Sequence, residues 1–363
     1  MLIIPRLDTD GMLFLMQNTM FGVRRKIVDF DPIEWIRSNL KLRTSNAGTE
    51  EYQLARAMPG IYQPFNPKDR GHFVLRGKVL DYAAVMTHGR IMDFGPGEGF
   101  PSLLIAPFVR EVVGVEATKE RVRVCTENAT RIGVTNAQFV VVPPGKTLPF
   151  PDASFDGVVA SWSLEQSPNL QATLVDVCRL LKPGGHLRFE PETLGRYQEK
   201  HEREIYGLSS TGGKLVIWGR DIRRERIEHY LLVLDELREE TARHKVEEIL
   251  RRHPKTAPVS VLSAAILEAL RPHIRDATTW ITEHPSWRSW PERLRAAGFR
   301  QSSVMYSGGW MADRLFQVLG EKERPQTLQE MDDLLVPIAK VAAEMQAPLE
   351  PDFDNLLFVS AVK

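Results

Sequence analysis

The sequence predicts an α/β fold with a parallel sheet, and three observations predict it. Ile91 to Gly99 (IMDFGPGEG) is a short apolar run that ends in Asp93 and passes into Gly95, Gly97 and Gly99. Short apolar runs then alternate with helical stretches, as EVVGVE (111–116) does with Thr118 to Ile132. Finally, RLLKPGGHL (179–187) and LRAAGF (294–299) each read as the end of a helix and a glycine turn before a strand. Alternation of this kind is the signature of βαβ units.

In chain order, residues 1–70 read as an N-terminal helical extension. Asp31 before Pro32 marks a helix start that runs through Trp35, Ile36 and Leu40. Tyr62 to Pro67 is turn-rich, and Gly71 to Met86 carries apolar residues at helical spacing. The strand at Ile91 leads through the glycine loop to a helix over Phe100 to Val109. Its free N–H groups would aim at the loop. EVVGVE closes on Glu116, 17 residues past Gly99. An acid at the end of the second strand of a nucleotide-binding unit accepts hydrogen bonds from both ribose hydroxyls; a charge partner for the helix dipole is the lesser alternative. Gly133 ends the helix that follows. Further strands are expected at 137–142, 157–160, 186–190, 302–306 and 355–362.

The chain has 363 residues, with 47 basic and 47 acidic residues and a formal net charge of zero. That balance argues against a nucleic-acid or anionic-membrane partner. Cys125 and Cys178 are the only cysteines, which excludes a disulfide framework and suits a reducing, cytoplasmic compartment. Residues 1–10 lack a signal-peptide pattern, and no apolar run reaches bilayer-spanning length.

The glycine spacing is G-x-G-x-G rather than the dinucleotide G-x-G-x-x-G, whose third glycine would fall on Phe100. It resembles the first motif of class I S-adenosylmethionine (SAM) dependent methyltransferases. DFGPGEG, VVGVE, LPFPDASFDGVVAS, RLLKPGGHL, LRAAGF and NLLFVSAV also occur in the order of the methyltransferase-11 type. The resemblance implies a Rossmann-like, seven-stranded, mostly parallel sheet with its last strand antiparallel, and SAM as methyl donor with S-adenosylhomocysteine as product. It places Asp93, Gly95, Gly97 and Gly99 at the methionine portion of the donor and Glu116 at the ribose. Ser161 and Trp162 then face the sulfonium and substrate, and Asp152 and Asp156 form turns. One departure is Pro144, where the family often has an acid that reads the adenine amino group. Proline offers neither a side-chain acceptor nor an N–H, which leaves the backbone near Lys146 and Thr147.

Residues 71–195 read as the SAM-binding core and 291–363 as the rest of its sheet, with a helical insertion at about 308–352. Residues 196–290 read as a helical insertion, with a long charged helix over 221–253 and a second over 259–270. The expectation is a helical cap, built from three segments, over the methyl donor, with the charged helix as an alternative homodimer contact. Glu190, Tyr197 and His201, with Glu192 beside them, follow the fifth strand and are the catalytic candidates; Tyr62, His72 and Tyr306 are weaker ones. Trp280, Trp287, Trp290 and Trp310 suit core packing or an apolar pocket. No metal site is expected: the fourth strand ends in Ser161-Trp162-Ser163, with no acid before Glu165. The function expected is methyl transfer to a small or medium-sized organic acceptor. A binding or scaffold protein that keeps the fold, and an RNA or protein methyltransferase, are the alternatives.

Overall fold

The computed structural model describes residues 30–45, 66–86, 88–192, 204–211, 214–221, 223–234, 264–345 and 357–363. Its strands, in chain order, are β1 (Arg43–Thr44), β2 (Arg90–Phe94), β3 (Glu111–Glu116), β4 (Ala137–Val141), β5 (Phe155–Ser161) and β6 (Leu181–Glu190). They continue with β7 (Glu204–Thr211), β8 (Lys214–Asp221), β9 (Arg226–Leu234), β10 (Ile274–Glu283), β11 (Gln301–Tyr306) and β12 (Leu357–Val362). The helices are α1 (Pro32–Asn39), α2 (Arg70–Ala84), α3 (Ser102–Ile105), α4 (Lys119–Ile132), α5 (Leu170–Leu180), α6 (Ala264–Leu270), α7 (Trp290–Ala296), α8 (Gly308–Val318) and α9 (Leu328–Glu344).

Seven strands form one sheet in the order β11-β12-β6-β5-β2-β3-β4. Neighbours from β6 to β4 pair in parallel, and β12 is antiparallel to both β6 and β11. This is the Rossmann-like α/β sheet expected. Both faces are covered, so its strands read as continuous apolar runs. Met92, Val158 and Phe189 pack against Leu174, Val177 and Trp290 on one face. Ile91, Val159 and Phe358 pack against Val79, Tyr82 and Ile105 on the other.

Helix α2 runs along that second face, and α8 and α9 form a further layer on it through Phe73, Leu80, Phe316, Met331 and Leu335. The crossing of α2 and α8 is close: a Cβ on Gly77 would fall 2.5 Å from the Gly308 carbonyl oxygen. Beneath it, fully buried Asp81 accepts a hydrogen bond from the Arg188 guanidinium and another, at 2.7 Å, from the Gly308 N–H. Burial pushes the Asp81 carboxyl above its ordinary range, and Arg188 opposes that rise.

The helical reading of residues 196–290 is corrected over 204–234 and 274–283, while the second expected helix is present as α6. Four strands there and β1 from the N-terminal segment form a second, five-stranded sheet, in the order β1-β10-β9-β8-β7. The charged stretch 221–253 was read as helix because Ile227, Leu231 and Leu234 recur at helical spacing; β9 instead occupies residues 226–234 and pairs with β8 and β10. Both faces of β9 are buried. Tyr230, Leu232 and Leu234 meet Ile33, Ile36, Leu267 and Leu270 from α1 and α6, and Leu231 meets Trp280 and Val216 on the reverse. A strand buried on both faces shows no alternation, so spacing alone cannot tell it from a helix. Residues 235–253 lie outside the described residues, and the homodimer contact loses its helix over 226–234.

The three-segment cap is corrected too. The N-terminal and middle segments build the second sheet together, whereas the 308–344 segment packs on α2. The helix expected over 100–109 is a single α-turn, α3, followed by a 3-10 turn at Ala106–Phe108, interrupted by Pro101 and Pro107. Elsewhere the expected signals hold: Asp31 caps α1 through the N–H groups of Ile33 and Glu34, and Gly133 closes α4 in the left-handed conformation.

Replacing Asp81 with alanine strands the Arg188 charge in the core, a loss of about 3–5 kcal/mol for a buried pair. Urea denaturation of Asp81→Ala is therefore expected to show a much lower midpoint than wild type. A change below about 1 kcal/mol, the range of exposed pairs, would show that the Arg188 charge is satisfied without Asp81.

Candidate active site

The carboxyl ends of the parallel strands meet at one edge, where open α/β sheets bind ligands. At the end of β2, Asp93 is fully buried, and its Oδ2 accepts from the Ser102 N–H at 2.9 Å and the Ser102 hydroxyl at 2.5 Å. The first N–H of α3 is thus taken by Asp93 and does not point freely into the loop. Asp93 Oδ1 is buried and has no hydrogen-bond partner among the described residues. Burial pushes this carboxyl up to about 8; the Ser102 bonds oppose the rise, and the Glu116 charge adds to it.

The glycine loop turns back on itself. Gly95 donates to the Val115 carbonyl at 2.9 Å, and Cys125 and Asn128 of α4 hold the carbonyls of Gly97 and Glu98. Two glycines are required here. Gly95 has φ +73°, and a Cβ on it would meet Ser163 Cβ at 2.6 Å; Gly99 has φ +112°, and its Cβ would meet Leu103 at 2.4 Å. Glu116, buried at the end of β3, accepts from the Gly97 N–H through Oε1 and from the Ala117 N–H through Oε2. A carboxylate has about four lone-pair sites, so each oxygen keeps acceptor capacity. Burial raises the Glu116 carboxyl above its ordinary range, against the pull of Arg121.

The end of β5 stitches the edge together. Ser163 donates to the Phe94 carbonyl of β2, the Trp162 N–H donates to the Glu190 carbonyl of β6 at 2.8 Å, and the Tyr82 hydroxyl of α2 donates to the Ala160 carbonyl at 2.8 Å. Trp162 has φ +52° and is 37 % exposed. A bulky residue in that backbone region is held there by its surroundings. Lys78 Nζ lies 5.6 Å from the centre of its ring and 2.5 Å from Glu190 Oε1, in an almost wholly buried ion pair. Ser161 Oγ is 3.5 Å from the other Glu190 oxygen.

The structure therefore brings together Asp93, Gly95, Gly97, Gly99 and Glu116, with Ser161, Trp162 and Glu190 at the adjoining strand ends. Tyr197, His201 and Tyr62 lie outside the described residues. His72 Nδ1 accepts from the Asn66 N–H, and Tyr306 stacks on Trp310. The tryptophans pack into the two cores: Trp280 stacks on His229 in the second sheet, and Trp290 meets Phe189 edge-on in the first, with Trp287 packed against the same cluster. Asp152 and Asp156 are structural, bonded to Arg179 and to Lys182 with the Arg90 N–H. At Pro144 the chain turns, and the Lys146 N–H donates to the Pro143 carbonyl, so it is not free to read adenine.

Lys78, Ser102 and Ser163 escaped sequence reasoning. The signal for Lys78 was a lysine among Val74, Val79 and Leu80 in an otherwise apolar stretch; Ser102 and Ser163 had none. The residues fit the donor that the glycine loop implies. The buried, unpartnered Asp93 Oδ1 suits an ammonium group, the loop lets a ligand approach its backbone, and Glu116 presents acceptors for a diol.

Fold and edge together are those of a class I SAM-dependent methyltransferase domain over the matched residues. Residues 92–189 match the family described as methyltransferase domain. The chain is 34% identical over 109 residues to the uncharacterized methyltransferase YcgJ of Bacillus subtilis, which covers 30% of this chain and 43% of that protein. It is 32% identical over 129 residues to a sterol 4-C-methyltransferase of Caenorhabditis elegans (31% of this chain, 39% of that one). It is 31% identical over 176 residues to an arsenite methyltransferase of Aquipseudomonas alcaligenes (44% and 50%). The chain thus spans half or less of the length of these relatives. Among the described residues no helix is long and apolar enough to cross a membrane.

The buried Asp93 also sets a pH dependence. Its carboxyl is raised from the ordinary aspartate value of 3.8 to about 8 on folding, so between those values the folded chain binds the extra proton. Stability falls wherever the folded state holds more protons than the unfolded one, so this group's contribution declines from about pH 4 to pH 8. Denaturant midpoints across that window are expected to fall less steeply for Asp93→Asn than for wild type. An unchanged slope would mean that Asp93 ionises normally.

Proposed function

We propose that this protein transfers the methyl group of SAM to a small or medium-sized organic acceptor, at oxygen, nitrogen or carbon. The observation that carries the reading is the joined pair of features at the strand ends, a G-x-G-x-G loop whose Gly97 N–H is bonded to the buried acid Glu116. When bound, SAM supplies an electrophilic methyl group on a sulfonium. The chain's own work is to bind and to align. Gly95, Gly97 and Gly99 give close backbone access, Asp93 offers a buried acceptor, and Glu116 offers acceptors to the ribose. Ser161 and Trp162 face the acceptor side, where the half-exposed indole gives an apolar surface and the Lys78–Glu190 pair fixes a charged wall. Displacement on carbon needs an in-line approach, so we assign Glu190 to positioning through Lys78 rather than to proton abstraction.

The relatives' acceptors include a sterol and arsenite, which are chemically unlike. Arsenite is a soft acceptor that seeks thiolates. Both cysteines of this chain are buried, and burial pushes the Cys125 thiol up, so an organic acceptor fits better.

Calorimetric titration of the purified chain with S-adenosylhomocysteine tests the reading. Micromolar binding is expected, and Glu116→Ala is expected to weaken it by about tenfold or more, since hydrogen bonds to a charged group are worth about 1.5–3 kcal/mol. Folded wild-type protein that gives no binding would overturn it.

A further inference from the structure

A second cluster of titratable side chains lies next to this edge. Glu165 sits in the turn Leu164–Gln166 after β5, Glu192 lies two residues past β6, and His284 directly follows β10. One ligand-type atom from each lies within 4.8 Å of the others. The three come from both sheets and meet where the sheets touch. No acid pair with a histidine was foreseen here, because His284 is 92 residues from Glu192.

Hydrogen bonds account for only part of the arrangement. Glu165 Oε1 accepts from the Glu192 N–H at 2.7 Å, and Glu192 Oε2 accepts from the Gln166 amide at 3.1 Å. Glu165 is fully buried, yet its Oε2 has no partner among the described residues. An orphan of that kind, charged or protonated, is costly to bury. His284 is fully buried as well. Its Nε2 lies 2.9 Å from Thr282 Oγ1, which is 2.9 Å from His229 Nε2, and its Nδ1 lies 3.3 Å from the Glu192 carbonyl oxygen. The Thr282 hydroxyl both donates and accepts, so the relay permits either tautomer of His284. With the proton on Nε2, Nδ1 gives up its bond to the Glu192 carbonyl and offers a lone pair instead, while Glu165 Oε2 remains an acceptor with no hydrogen-bond partner among the described residues. The nearest positive charges are committed elsewhere or lie to one side: Lys78 pairs with Glu190, and Arg220 acts on His284.

We infer that Glu165, Glu192 and His284 bind a divalent first-row cation that clamps the second sheet to the carboxyl edge of the first. Two carboxylates and one imidazole suit Mn²⁺, Fe²⁺ or Zn²⁺ better than Ca²⁺, which takes oxygen ligands only. Bonds of about 2.0–2.2 Å bring neighbouring ligand atoms to within about 3–3.5 Å of one another, so small side-chain rotations close the present 4.8 Å spread. Thr282 and His229 supply the second hydrogen-bond layer that orients a ligating histidine.

The test uses the full chain, stripped with a chelator and titrated with Zn²⁺, then with Co²⁺ as a visible-absorption probe. One cation per chain is expected, with a melting temperature that rises with cation concentration and a Co²⁺ spectrum typical of nitrogen and oxygen ligands. Glu165→Gln and His284→Gln are each expected to abolish uptake while circular dichroism shows them folded. If either fails to fold, Thr282→Val is the milder variant, expected to weaken binding by about tenfold or more. Folded wild type that takes up no cation would overturn the inference. So would uptake, or a Co²⁺ spectrum, that survives in the folded variants.

Discussion

Burying carboxylates where the strands end is the constraint on which the rest of this structure depends. Asp93, Glu116, Glu165 and Glu190 are all buried along one sheet edge. Taking such groups out of water costs several kcal/mol each unless donors replace the lost hydration. The surrounding elements supply those donors. Ser102 serves Asp93, the glycine loop serves Glu116, Lys78 reaches from α2 to Glu190, and the backbone after β6 serves Glu165. The loop is therefore shaped by its acid as much as the acid is held by its loop. An apolar residue at Glu116 would release Gly97 as well as remove a binding group.

The same constraint explains why the two sheets meet as they do. The second sheet brings His284 to Glu165 and Glu192, and Ser289, just beyond it, donates to Glu225 in the turn between β8 and β9. Polar contacts of this kind fix register where apolar packing would tolerate sliding. The apolar packing itself stays local to each sheet, with α1 and α6 on the second and α2, α5 and α7 on the first.

The core was legible because its strands are marked by their punctuation. EVVGVE was read to the residue, since a charge bounds it at each end and a glycine loop precedes it. The ligand loop was legible for a related reason: positive φ at Gly95 and Gly99 leaves glycine as the residue the backbone tolerates. The second sheet was not. KLVIWGRD and RIEHYLLVL lack clean alternation, because core residues lie on both of their faces, and Ile227, Leu231 and Leu234 fall at spacing that also suits a helix. Nor could spacing show that a lysine in α2 would pair with Glu190, 112 positions away. Contacts of that range are created by topology and leave no local trace.

The order in which strands sit in the two sheets has a consequence for synthesis. Strand β12 lies between β6 and β11, and β1 joins the second sheet through β10, with Arg43 and Thr278 235 positions apart. A ribosome delivers β6 long before β12 and β1 long before β10. Until the late strands arrive, β6 and β1 each present unpaired backbone groups, the kind of edge that recruits other chains. Neither sheet can close before its late strand has been made, so the order of synthesis sets the order in which these edges are covered.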